Sequence, residues 1–299
     1  MRFYTLLINN EEKVAVSADG GNTIYTMESL IYDFKDMNEL IMGMNDEMMD
    51  ELKKNLAVIA EGERQAMAQP VKEYRMLAPI VRPRQDVICL GINYAAHAIE
   101  SGKFHNEAFG GDRPYTIYFS KRVNRAVGPE EPIQGHFDIV DSLDYEVELG
   151  VVLKDDTYGV NAEEAMDHIF GYTIINDISA RNLQTRHKQW YLGKSLDGFT
   201  PIGPCIVTPD EIGDAENLAI TSRINGELRQ NSNTSLMIQT VGGAIADLAA
   251  GMTLQAGTLI ATGTPAGVAM GMEPPQFLKA GDVVTCEIEG IGVLENVVF

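Results

Sequence analysis

The chain has little with which to meet a polyanion. Basic residues number 23 against 43 acidic ones among 299, a formal charge of −20 with a pI near 4.6. Such a field repels a phosphate backbone and an anionic bilayer, which argues against nucleic acid and membrane as partners. It does not exclude a small anionic substrate, because a divalent cation and a few basic side chains set their own local field. No window approaches the ~18 consecutive apolar residues of a membrane span. The opening Met1–Asn10 turns polar too soon for a signal peptide, so the expected location is cytoplasmic. The three cysteines, Cys89, Cys205 and Cys286, are an odd and widely spaced set within apolar runs. They form neither a disulfide framework nor a zinc pattern, and read as small buried hydrophobes. Internal repeats and low-complexity segments are also missing.

What is present falls into two textures. Phe3–Ile8 and Lys13–Ser17 are strand-like runs flanking the turn former Asn9-Asn10, and the Met-, Glu-, Asp- and Leu-rich stretch from Met27 to Ala68 reads as two or three helices. The Pro-punctuated stretch Leu77–Arg84 then marks a connection, placing a boundary near residue 75. Beyond it, short β-type runs dominate: Asp86–Leu90, Thr116–Phe119, Tyr145–Leu153, Phe170–Ile175, Gly203–Val207, Ala219–Ile224, Thr258–Ala261 and Val283–Ile288, with a hairpin around Gly290-Ile291-Gly292. Helical pieces are expected at Tyr94–Ser101, Ala162–Asp167, Ala180–Trp190 and Ser235–Ala250, the last capped by Ser235 and stopped by Gly251. Strands and helices do not alternate, which argues against a doubly wound parallel sheet.

Two carboxylates interrupt the otherwise apolar run Leu143-Asp144-Tyr145-Glu146-Val147-Glu148-Leu149-Gly150-Val151-Val152-Leu153. Glu146 and Glu148 are two apart and so share one face of a strand, where like charges repel and burial is costly unless a cation neutralises them. Alone, this pattern is more often the wet face of an edge strand. A third acid, Asp177, ends the hydrophobic run Phe170–Asn176 and could equally cap a following helix. Three carboxylates without His or Cys suit Mg²⁺ or Mn²⁺ and leave about half of an octahedron open. On a helix, His97 and Glu100 lie one turn apart; a carboxylate beside an imidazole orients it as a general base, although such pairs are mostly surface pairs. Lys194 in Gly193-Lys194-Ser195 would by itself be taken for a surface lysine. Gly263-Thr264-Pro265-Ala266-Gly267 is too short for a phosphate loop and better presents amides to a carboxylate.

These motifs occur together and in order: Gly91-Ile92-Asn93-Tyr94 with His97 and Glu100, Asp144–Leu149, Asn176–Arg181, Gly193–Ser195 and Ala261–Gly267. In this the chain resembles the fumarylacetoacetate hydrolase family over roughly residues 77–299. The resemblance implies an α+β fold: a β-rich catalytic domain, a mixed β-sandwich roll over residues 76–299, behind a small N-terminal α+β domain over residues 1–75. It implies Glu146, Glu148 and Asp177 as ligands of Mg²⁺ or Mn²⁺, His97 and Glu100 as the water-activating dyad, and Lys194 as the stabiliser of an enolate or oxyanion. Thr264 would hold a substrate carboxylate, while Arg181 and Gln184 would contact the variable end of the substrate. The segment Ser101–Asp112, with His105, Glu107, Gly110 and Gly111, would be the lid, and a homodimer is expected. The chain departs from the family's Phe-x-Lys-Pro at Phe119-Ser120-Lys121-Arg122, where the proline is missing.

The expected activity is metal-dependent hydrolysis or decarboxylation of a small 2-oxo acid, of acylpyruvate or oxaloacetate type. Isomerisation or decarboxylation of an unsaturated dicarboxylate (2-hydroxyhepta-2,4-diene-1,7-dioate type) is the alternative, with a sugar-acid dehydratase more remote. A non-catalytic scaffold would be signalled by loss of a ligand, of Lys194 or of the dyad; all are present.

Overall fold

A computed structural model describes residues 1–60, 70–105, 115–186 and 189–299. The strands are β1 (Arg2–Ile8), β2 (Glu11–Ser17), β3 (Tyr25–Thr26), β4 (Arg75–Leu77), β5 (Val87–Gly91), β6 (Ile117–Lys121), β7 (Leu143–Asp144) and β8 (Val147–Leu153). They continue with β9 (Ile169–Asn176), β10 (Ser179–Ala180), β11 (Ile202–Val207), β12 (Ala219–Ile224), β13 (Glu227–Asn233), β14 (Leu259–Ala261), β15 (Val283–Ile288) and β16 (Gly292–Val297). The α-helices are α1 (Met37–Gly43), α2 (Asp46–Ala60), α3 (Ala95–His105), α4 (Ala162–Ala165), α5 (Arg181–Arg186), α6 (Tyr191–Lys194), α7 (Pro209–Ile212) and α8 (Val241–Ala249).

The fold is α+β and strand-rich. One large sheet runs β3-β2-β1-β11-β9-β8-β14-β5-β6, with β4 also paired to β1; a second, four-stranded sheet runs β13-β12-β15-β16. Pairing is antiparallel except between β14 and β5. The first hairpin follows from its turn: Asn9 and Asn10 both take positive φ, which a two-residue turn joining twisted antiparallel strands requires. The last hairpin, β15 to β16, forms about Gly290 and Gly292 as expected. Every residue of β8 and β9 is buried, which explains their near-continuous apolar runs: both faces of these central strands are covered.

One face of the large sheet, with Val147, Leu149, Val151, Tyr172 and Ile174, packs on Ile220, Val284, Ile288 and Leu294 of the smaller sheet. The other face, with Phe3, Val152, Phe170 and Ile206, packs on Met37, Leu40, Ile41, Leu52 and Leu56 of α1 and α2. Around 25 cal/mol per Å² of buried apolar surface drives both interfaces. The N-terminal strands join the same sheet as the rest of the chain, through the pairing of Arg2 with Val207 and Phe3 with Ile206.

Several expected element bounds shift. Ser235 does not cap a helix: Thr234–Leu236 forms a 3-10 turn under Asn233, and α8 starts later, where Thr240 Oγ1 accepts from the Gly243 amide. The intervening residues are drawn off the helix by Asn93, whose carbonyl accepts from Ile238 N and whose side chain accepts from Gln239 N. The single helix expected over Ala180–Trp190 begins only at Arg181, because Ser179 and Ala180 pair with β7. The strand expected from Tyr145 starts at Val147. Of the Met27–Ala68 helical stretch, α1 and α2 are described, and residues 61–69 lie outside the described residues.

Candidate metal centre

The centre forms where β8 begins and β9 ends. Glu146 sits in the bend between β7 and β8, and Asn176-Asp177 pins that bend: the Glu146 amide donates to Asn176 Oδ1 (3.0 Å) and the Asp177 amide donates to the Glu146 carbonyl (2.8 Å). Glu148 lies inside β8. One carboxylate oxygen from each of Glu146, Glu148 and Asp177 comes within 4.8 Å of the others, and all three residues are buried.

Cations brace this group from behind. Lys194 Nζ, at the end of α6, donates to Glu146 Oε2 (2.7 Å) and Asp177 Oδ2 (2.6 Å) and lies 5.1 Å from the centre of the Phe119 ring. Lys121, fully buried at the end of β6, donates to Asp177 Oδ1 and to the carbonyls of Ile178 (3.1 Å) and Phe199 (2.9 Å). Arg181 spreads its guanidinium over Glu146 Oε1 (Nη2, 2.5 Å), Asp144 Oδ2 (Nε, 2.9 Å) and Gln184 Oε1 (Nη1, 3.0 Å). Asp144 in turn accepts from the amides of Tyr145 (2.9 Å), Ala269 (2.7 Å) and Met270 (3.1 Å). Glu148 differs: among the described residues its one hydrogen-bond partner is the Gly263 amide (2.8 Å). Gly263 holds a φ of +91° with Asn93 pressed against it, a place that only glycine fills without strain.

These environments split the two glutamates. Burial pushes Glu146 up, but Arg181 and Lys194 outweigh it and hold the carboxyl well below the usual range. Burial also pushes Glu148 up, and there the nearby Asp177 and Glu146 charges add to the push, leaving it well above the usual range. Lys194 is pulled down by burial and raised further by Asp177 and Glu146, so it stays charged. Four buried carboxylates (Asp144, Glu146, Glu148, Asp177) against three buried cations (Lys121, Arg181, Lys194) leave one carboxylate in a dry site without a matching cation, and Glu148 is the one pushed toward its neutral form. An all-oxygen, net-negative donor set of this kind fits a hard divalent cation, which would relieve Glu148 directly.

The remaining predicted residues surround the same place. His97, buried on α3, has Nδ1 3.2 Å from Glu100 Oε2. The Glu100 carboxylate also accepts from the Gly267 amide, 3.1 Å to each oxygen, tying α3 to the loop after β14. Thr264 Oγ1 donates to the Val147 carbonyl (2.9 Å) and accepts from Gln230 Nε2 (2.7 Å). The structure places Arg181 and Gln184 against each other and behind Glu146, with Arg181 committed to carboxylates of the protein itself. The lid residues Glu107, Gly110 and Gly111, and the segment 106–112 that holds them, lie outside the described residues; the backbone of α3 runs to His105.

Sequence reasoning did not assign roles to Asp144, Asn176, Lys121 or Gln230. Gln230 accepts from the Val147 amide (3.1 Å) and donates to Thr264 and to the Pro265 carbonyl (2.8 Å), joining β13 to both sides of the centre. The signal for Asp144 was its place in the same apolar run as Glu146 and Glu148. Lys121 stood out only as the lysine of Phe119-Ser120-Lys121-Arg122, the counterpart of the family's Phe-x-Lys-Pro.

Comparison with known proteins gives this arrangement its class. Residues 86–299 match the sequence model described as fumarylacetoacetate (FAA) hydrolase, C-terminal, and the chain belongs to this family of enzymes. It is 44% identical over 226 residues to the oxaloacetate tautomerase YisK of Bacillus subtilis, covering 76% of this chain and 73% of that protein. It is 38% identical over 266 residues to the mitochondrial oxaloacetate tautomerase Fahd2a of Rattus norvegicus, covering 87% and 82%. Among solved structures, a fumarylacetoacetate hydrolase of Exiguobacterium antarcticum superposes with a TM-score of 0.81 at 36% identity, covering 100% of this chain and 99% of that one. A 2-hydroxyhepta-2,4-diene-1,7-dioate isomerase of Mycobacterium marinum gives a TM-score of 0.71 at 30% identity, covering 100% and 98%. No helix among the described residues is long and apolar enough to cross a membrane.

Proposed function

We propose that the chain is a divalent-metal-dependent enzyme that works on a small 2-oxo acid through its enolate, with oxaloacetate the leading substrate. The observation that carries this is the buried triad of Glu146, Glu148 and Asp177 with Lys194 spanning two of its members. Mg²⁺ or Mn²⁺ is the ion that its all-oxygen donors suit. When bound, such an ion supplies Lewis acidity to the carboxylate and keto oxygens of a 2-oxo acid.

The chain's own residues then have separable tasks. Glu146, Glu148 and Asp177 fix the place, and Arg181 and Lys121 keep two of these carboxylates from turning. Lys194 holds permanent positive charge where negative charge develops as the keto group becomes an enolate. His97, oriented by Glu100, moves the proton, either at the carbon beside the keto group or from a water. Oxaloacetate is favoured because the relatives at 44% and 38% identity are named for its tautomerisation.

A second reading is carbon–carbon hydrolysis of an acylpyruvate, favoured by the His97–Glu100 pair, whose geometry suits delivery of water. Decarboxylation of oxaloacetate needs the same electron sink. Both readings are separated by one panel with Mn²⁺ or Mg²⁺: enol loss from oxaloacetate, pyruvate release from oxaloacetate, cleavage of acetylpyruvate, and turnover of an unsaturated dicarboxylate. Each runs beside Glu146→Gln and Glu148→Gln controls. Turnover of oxaloacetate or an acylpyruvate that both controls abolish is the expected result. Turnover of the unsaturated dicarboxylate alone would replace the substrate, and no metal dependence would overturn the proposal.

A further inference from the structure

The cations around the carboxylates are not equally satisfied. Lys121, Lys194 and Arg181 each spend their donors on buried carboxylates and carbonyls. Arg229 does not. It lies in the β12–β13 hairpin where the register shifts between Ser222 and Arg223, so that Leu228 and Gln230 are paired while Arg229 between them is not. Its side chain is only 9% exposed. Nη1 meets the thioether sulfur of Met272 (2.7 Å), Nη2 meets Glu227 (3.1 Å), whose side chain is 68% exposed, and the buried Nε has no partner among the described residues.

That is a poor acceptor set for a buried guanidinium. A thioether is a weak acceptor, and a carboxylate mostly in water contributes little. A purely structural arginine at this depth would be expected to face a buried carboxylate or carbonyls, as Arg181 does.

Its surroundings belong to the dyad end of the site. The Arg229 carbonyl is pressed so closely on Gly267 that a Cβ there would lie 2.1 Å from it, and the Gly267 amide is the one that Glu100 accepts. Gly271, next to Met272, is packed on the Glu100 side chain in the same way. The next residue, Gln230, reaches Thr264 and Val147. The Tyr145 hydroxyl donates to the Gly267 carbonyl (2.8 Å), closing the same corner.

We propose that Arg229 is the anchor for the second carboxylate of a dicarboxylic 2-oxo acid, and so determines preference for such substrates over monocarboxylic ones. The inference rests on the 2-oxo acid reading above. The first carboxylate and keto oxygen would meet the divalent ion that the triad would hold, and the planar fork of Arg229 offers Nε and an Nη to the two oxygens of the other carboxylate. The placement also bears on the reaction. A cation on the far carboxylate stabilises it as a carboxylate and so opposes loss of CO₂, which must leave as a neutral molecule. Tautomerisation is unhindered: the C3–H bond breaks, its electron pair becomes the C2–C3 double bond, the C2–O double-bond pair moves to oxygen, and the proton passes to the imidazole of His97, which returns it to that oxygen.

The test is titration calorimetry of Mn²⁺-loaded protein with pyruvate and with oxaloacetate, for the wild type, Arg229→Leu and Arg229→Lys. The wild type is expected to bind oxaloacetate roughly 10- to 100-fold more tightly than pyruvate. Arg229→Leu is expected to bring the two within about threefold, with Mn²⁺ and pyruvate affinity retained as evidence of an intact site, and Arg229→Lys to fall between. Tautomerisation of oxaloacetate by Arg229→Leu should lose through a raised KM rather than through kcat. Equal weakening of both ligands, or an undiminished preference in Arg229→Leu, overturns the proposal while leaving the 2-oxo acid reading intact. A wild type that binds neither acid overturns both, and does so before any variant is needed.

Discussion

Arg181 stands directly behind Glu146, its Nη2 2.5 Å from Oε1, with neither side chain more than 5% exposed. Lys194 takes the other oxygen of the same carboxylate. Glu146 is therefore fixed at both ends, whereas Glu148, two residues on, accepts only from a backbone amide among the described residues. Glu148 is therefore the carboxylate that a divalent cation would relieve most.

Replacing Arg181 by lysine is expected to weaken Mn²⁺ binding by roughly 10- to 100-fold, because an ammonium cannot span Asp144, Glu146 and Gln184 as the guanidinium does. Calorimetric titration of Mn²⁺ measures this. An unchanged affinity would mean that Glu146 is oriented by Lys194 alone.

The same charge balance predicts a metal-dependent melting temperature. With free Mn²⁺ at 100 times its dissociation constant, the linkage contributes about 2.7 kcal/mol to folding. Glu148→Gln removes the carboxylate that burial and its neighbours hold up, so the metal-free variant is expected to melt no lower than the wild type while its response to Mn²⁺ is lost or greatly reduced. A full Mn²⁺ response in Glu148→Gln would remove this residue from the metal site.

Lys121→Met tests the other side of the centre. The substitution keeps most of the volume but leaves Asp177 Oδ1 and the carbonyls of Ile178 and Phe199 without their buried donor. Loss of one partner from a buried pair costs about 3–5 kcal/mol. Denaturant titration of the metal-free protein should show a loss in this range; less than about 1 kcal/mol would mean that water replaces the ammonium, and Lys121 would then be peripheral.

The legible part of this centre was the part written within single elements. Glu146, Glu148 and Asp177 stand out because carboxylates interrupt apolar strands, and His97 with Glu100 because one helical turn separates them. What could not be read are the partners set by the sheet. Lys121 meets Asp177 from 56 residues away, and Gln230 meets Val147 from 83. Gln230 has no local pattern; Lys121 stands in a short motif shared with the family, but nothing near it in the chain points to Asp177 as its partner. The fold divides similarly: strand-like runs on either side of the turn former Asn9-Asn10 disclosed the first two strands, but nothing local indicates that β1 will pair with β11, some 200 residues later. Ser235 misled for a related reason. It is a good capping residue in isolation, and the helix start was moved to Thr240 by the distant side chain of Asn93.

Glu131 gives a prediction for pH. Its carboxylate accepts from both Nη atoms of Arg125 (2.9 and 2.8 Å), from the Gly128 amide (2.8 Å) and from Arg75 (3.5 Å), so it joins β4 to the loop over residues 125–131. Burial pushes this carboxyl up, but Arg125, the Gly128 amide and Arg75 together hold it below its ordinary 4.5. A carboxyl with a depressed folded value contributes stability that is fully present above its unfolded value and is lost as pH falls through the folded one. Glu131→Gln is therefore expected to be less stable than the wild type at pH 7 by about 1–2 kcal/mol, a range kept modest because Arg125 and Arg75 are 45% and 63% exposed. The difference should shrink as the pH is lowered below about 4.5 and approach zero once the wild-type carboxyl is protonated. Melting curves of the two proteins between pH 7 and pH 3 measure it. A difference that persists undiminished at the acid end would mean that Glu131 acts through the shape of its hydrogen bonds, and its charge would then contribute nothing.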